Sequence, residues 1–170
     1  MPYEHQQWKE SQAAFIYLYA QATGSLLFLS SIISKDHSPG VSIWLHTPIL
    51  TLLALLLKAG AAPFYFWIPL VIERINWIPC LILASWQKLI PLSILTKSLF
   101  FNYHQTTTLI ILISLIGAVV GRLGGLNQTN LRPLIAFSSI QHIGWILIAR
   151  LFRFTLRILY LLLYLLSIVT

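Results

Sequence analysis

Two lysines and one histidine carry the chemistry that this sequence offers: Lys58, Lys88 and His142, each set inside a long apolar run. An ammonium in a helix of membrane length costs roughly 2.5–3.5 kcal/mol on insertion scales. A sequence that carries this cost twice has a use for the charge. Lysine suits proton work, because desolvation lowers its pKa while a nearby carboxylate or water raises it. Imidazole both gives and takes a proton, so His142, with Ser138 and Gln141, could extend a water-bridged relay. Plainer readings stand beside these. Either lysine could snorkel to an interface along its aliphatic stem, although Lys88 lies near the middle of its run. His142 could make a single satisfied interhelical hydrogen bond.

The elements that must position these residues follow from the hydrophobic runs. Leu52–Pro69, LLALLLKAGAAPFYFWIP, places Lys58 just ahead of a Gly-Ala-Ala-Pro break. Gly60 and Pro63 weaken the helix just beyond Lys58, because Pro63 cannot donate to the carbonyl of Ala59 and its ring crowds that turn. Backbone freed at membrane depth survives only where it is buried in protein or lines wet space. Ile75–Lys97 repeats the theme, with Lys88 followed by Pro91, which removes a bond to the carbonyl of Gln87. The remaining runs are Ala13–Ile33, Thr107–Gly121, Leu131–Ala149 and Phe154–Ile168; the second span extends from Ile43 through the break to Glu73-Arg74. Gly117 and Gly121 form a small-xxx-small surface for close helix contact. The expected fold is all-α: a polytopic transmembrane helix bundle, a single membrane domain over residues 1–170, with about six spans and a broken helix near Gly60–Pro63.

Composition agrees. The 170 residues are 58% hydrophobic and 9% charged, where a soluble domain is about 25% charged. Apart from Lys58 and Lys88, the basic residues behind the net charge of +7 lie at the ends of apolar runs and form no basic stripe, so nucleic acid is not an expected partner and the lipid bilayer is. Lys9, Arg74, Arg122 and Arg132 fall on one side of a six-span layout and Lys35, Lys97, Arg150, Arg153 and Arg157 on the other, which leaves orientation open. The polar start, MPYEHQQWKESQ, is neither a secretory signal nor a basic transit peptide. Cys80 is the single cysteine. No phosphate loop, nucleophile triad or spaced His/Cys cluster is present, so no cofactor, metal or redox centre is expected on this chain. Glu4, Glu10, Asp36 and Glu73 all lie at predicted span ends. Lys58 and Lys88 are therefore either largely neutral or supplied with counter-charge by another chain.

The stretches LLLKAGAAPFYFWIP, ASWQKLIPLSIL, GRLGGLNQTNLRPLIAFSSIQHIGW and YAQATGSLL together resemble the antiporter-like subunit family of NADH:ubiquinone oxidoreductase (respiratory complex I), in its mitochondrially encoded chain 2 branch. That family is built from inverted five-helix repeats with broken helices and buried lysines. The resemblance implies proton translocation coupled to electron transfer elsewhere in the complex, in the inner mitochondrial membrane, with the other membrane subunits of complex I as partners. It puts Lys58 and Lys88 on the family's hydrophilic axis and His142 on the histidine of its SSxxHxGW stretch. It also implies a chain shortened at both ends, matching the central part of such a subunit, with the glutamate that pairs with Lys58 in the family lying in a missing segment. The pattern departs at Leu70, where a glutamate is expected, at Tyr65, where a histidine is usual, and at Phe137, where a tyrosine is usual. Two other roles fit the same residues: a structural or assembly subunit that no longer pumps, and a stand-alone cation/proton antiporter.

Overall fold

A computed structural model of the chain describes residues 2–37, 43–97, 104–149 and 154–169. Among these residues it forms eight helices and no strand: α1 (Pro2–His37), α2 (Ile43–Ala59), α3 (Trp67–Arg74), α4 (Trp77–Ala84), α5 (Trp86–Lys97), α6 (His104–Leu126), α7 (Leu131–Ala149) and α8 (Phe154–Val169). Among the described residues, four stretches are long and apolar enough to cross a membrane: Gln6–Ser34, Trp77–Leu95, Thr107–Leu126 and Leu131–Ala149. The chain is a multi-pass helical membrane protein, but length alone yields four crossings where the sequence predicts about six. α2 has 17 residues and α8 has 16, and at about 1.5 Å per residue neither reaches across ~30 Å of hydrocarbon unaided.

α1 is longer than the predicted Ala13–Ile33 span, because its polar start is helical from Pro2 onward. Proline suits a first helical position, and Glu, Gln and Lys are good helix formers. Those first turns tie one end of the bundle together. Gln6 Nε2 donates to Asn76 Oδ1 at 3.4 Å, Asn76 Nδ2 to Glu10 Oε1 at 2.8 Å, and Arg74 Nη1 to Gln12 Oε1 at 3.0 Å. Arg132, at the start of α7, donates to the carbonyl of Glu73 at 3.4 Å and covers the Trp77 ring at 5.2 Å.

α6 and α7 pack backbone against backbone, as the small-residue face predicts. A Cβ on Gly144 would lie 2.8 Å from the Ser114 carbonyl oxygen, and one on Gly121 would lie 2.8 Å from the amide nitrogen of Gln141. α7 feeds two buried clusters. Ala136 and Ile140 join Ile68, Val71 and Leu83, while Ile143 and Leu147 join Leu52, Leu56, Leu92 and Tyr164. Burial of this kind is what holds α3, α4 and α5 against α7.

Candidate proton-path site

Lys58 sits at the first break, which falls within the Gly60–Pro63 stretch that the sequence marks, and of the two residues it is the glycine that ends the helix. α2 stops at Gly60, not at Pro63. Gly60 has φ +69°, its N–H donates to Leu57 O at 3.2 Å, and the Ala61 N–H reaches Leu56 O at 3.0 Å. This pair of bonds is the glycine-terminated Schellman stop. An added Cβ at Gly60 would collide with the Ile68 side chain, so both conformation and space call for glycine there. Pro63, joined to Ala62 by a cis peptide, lies in the connection that follows.

Lys58 thus occupies the last turn of α2, whose terminal carbonyls carry the helix's partial negative charge. Two side chains cap those carbonyls. Trp67 Nε1 donates to Leu57 O at 3.1 Å, and Gln21 Nε2 donates to Lys58 O at 3.3 Å. The lysine stem is half-buried against α1, where a Cβ on Gly24 would lie 2.7 Å from Lys58 Cγ. Its amine stands 5.8 Å from the centroid of the Phe28 ring, a cation–π distance. Among the described residues no carboxylate pairs with it.

Lys88 is 2% exposed. Its amine donates to Ser139 Oγ at 2.7 Å, across from α5 to α7. Ser139 is the partner that sequence reasoning left unassigned: it placed Ser138 with His142, whereas Ser138 Oγ turns back to the Ile135 carbonyl at 2.9 Å. Ser139 Oγ gives its own proton to the Ala136 carbonyl at 2.7 Å, which leaves its lone pairs facing the lysine. The interruption beside Lys88 also differs from the expected one at Pro91, which lies inside α5. The break is at Ser85, whose hydroxyl and amide both bond Leu81 O, at 2.6 and 3.0 Å.

His142 lies three residues beyond Ser139, on the same side of α7. Its Nδ1 is 3.2 Å from the Tyr160 hydroxyl. The hydroxyl donates when Nδ1 is bare, and Nδ1 donates when it carries the proton. Tyr164, one turn further along α8, has its ring 5.4 Å from that of His142 and its hydroxyl 2.7 Å from the Ala84 carbonyl oxygen. Both tyrosines escaped the sequence reading, since aromatic residues in a Leu-rich run read as packing. The one available signal was their i, i+4 spacing. The geometry brings Lys88, Ser139, His142 and the two tyrosines together and leaves Lys58 at the other break.

The family described as NADH:quinone oxidoreductase/Mrp antiporter, TM, matches residues 1–170. Among curated relatives, a protein named NADH-ubiquinone oxidoreductase chain 2 from Anopheles gambiae is 42% identical over 157 residues, covering 91% of this chain and 44% of that protein. Its namesake from Elephas maximus is 40% identical over 163 residues, covering 93% of this chain and 46% of the relative. The Aedes aegypti protein of the same name is 53% identical over 109 residues, or 64% of this chain and 30% of the relative. The chain spans less than half the length of these relatives.

Proposed function

The chain belongs to the NADH:quinone oxidoreductase/Mrp antiporter transmembrane family, and from that premise we propose that it serves in the membrane part of mitochondrial complex I. There it takes part in proton translocation driven by electron transfer from NADH to ubiquinone. The names of its relatives support membership of that enzyme assembly, and with it the inner mitochondrial membrane and the other membrane subunits as its setting. One observation carries the proton-handling part. Lys88 is buried with a serine as acceptor and a histidine next along the same helix, on a chain where no carboxylate joins them among the described residues.

In this reading Lys88 holds a proton at Nζ and Ser139 keeps that amine facing α7. His142 and Tyr160 exchange a proton across their hydrogen bond. Lys58 is a second station, eased by the carbonyl end of α2 and by Phe28, with its counter-charge supplied by a neighbouring chain. A proton arriving at one ammonium disfavours charge on the next. Six traversals of the membrane fit this picture, with α2 and α3 acting as one interrupted crossing and α8 as the last. The bonds from α1 and α7 to Glu73, Arg74 and Asn76 support that path.

A structural subunit is the second reading, favoured by the fact that no hydrogen-bonded chain of described side chains links Lys58 to Lys88. Lys58→Met and Lys88→Met in the assembled complex separate the two. Fewer protons moved per electron, at unchanged assembly, is the expected result; an unchanged ratio in both variants leaves only the scaffold.

A further inference from the structure

The second break involves the backbone of Lys88 itself. In an unbroken helix the Lys88 amide would donate to the carbonyl four residues earlier, at Ala84. Here it donates to Ser85 O instead, at 3.3 Å. That switch releases the Ala84 carbonyl inside the bundle, where Ala84 is fully buried. A buried carbonyl seeks a donor, and the one that reaches it is the Tyr164 hydroxyl at 2.7 Å. Tyr164 is itself 1% exposed and packed among Leu92, Leu95 and Ile143, so its aim is fixed.

We propose that Tyr164 is the positioning residue for Lys88: by standing in for the Lys88 amide on the Ala84 carbonyl, its hydroxyl holds the α4–α5 break open and keeps the amine directed at Ser139. The inference rests on the proton-path reading above and adds α8 to its machinery. Without the hydroxyl, the Ala84 carbonyl recovers a partner by taking back the Lys88 amide. α4 then winds continuously into α5, and the Lys88 side chain turns about the helix axis away from α7. The Tyr164 ring also lies against His142, so one side chain touches both the break and the histidine.

The test is a double-substitution cycle in the assembled complex, with protons moved per electron as the readout and complex abundance measured in parallel. Tyr164→Phe keeps the ring and removes only the hydroxyl. It is expected to lose as much stoichiometry as Lys88→Met, and the double variant to lose no more than either alone. A general packing defect would instead add to the Lys88→Met loss. If Lys88→Met lowers the ratio while Tyr164→Phe leaves it unchanged, or lowers it additively, the positioning role is overturned and the proton-path reading stands. If Lys88→Met has no effect at full assembly, that reading falls and the inference falls with it. Should Tyr164→Phe not accumulate, 4-aminophenylalanine at position 164, whose amine stands where the hydroxyl does, takes its place. A ratio at the unsubstituted level then supports the donor role, and one at the Lys88→Met level overturns it.

Discussion

Ser138 and Ser139 are adjacent, chemically identical and equally placed in an apolar run, yet only Ser139 meets the Lys88 amine. About 100° of helix rotation separates them, and no single sequence fixes the rotation of α7 to that accuracy. The same limit hid Tyr160 and Tyr164. Lys88 was legible for the opposite reason: a cation among leucines is conspicuous at any rotation. Ser139→Ala removes the acceptor of a buried amine, a hydrogen bond to a charged group worth about 1.5–3 kcal/mol. It should lower the proton-to-electron ratio of the assembled complex, whereas Ser138→Ala should leave it within error. Equal effects of the two substitutions would contradict the geometry around Lys88.

At the scale of elements, the first interruption was legible, since it falls at Gly60 within the Gly60–Pro63 stretch, whereas the second lies at Ser85 and not beside Pro91. Proline drew attention because it lacks a donor, but a glycine in a left-handed conformation and a serine bonding its own preceding turn end the helices first. Those features depend on backbone angles, which residue type limits without fixing. The α6–α7 contact was legible because glycine spacing translates directly into close approach. It also sorts the glycines. A Cβ on Gly117 would find ordinary contacts at 3.7 Å or more, whereas one on Gly144 would meet the Ser114 carbonyl oxygen at 2.8 Å. Gly117→Ala should therefore be nearly neutral and Gly144→Ala destabilising by about 1–3 kcal/mol. Thermal unfolding of the purified membrane preparation distinguishes them, and comparable midpoints for both variants would count against the seam.

For the whole molecule, the helical membrane character was plain from composition, and four of the expected six or so crossings are long enough within the described residues. The contacts that gather Gln12, Arg74, Asn76 and Arg132 at one end imply a topology that can be checked. With Cys80 replaced by serine, single cysteines at Asn76 and Asn127 should react with an impermeant maleimide from one side of sealed vesicles. Cysteines at Ser34 and Ala149 should react from the other. Labelling of position 76 together with position 34 would turn α2–α3 into a hairpin that enters and leaves the same face.

The glycine seam has a mechanical corollary. Two rods joined main chain to main chain have no side-chain cushion in which to roll or slide, so α6 and α7 form a stiff beam. The helix breaks at Gly60 and Ser85, each within three residues of a lysine, are then the only interruptions the described crossings leave for the bundle to bend at.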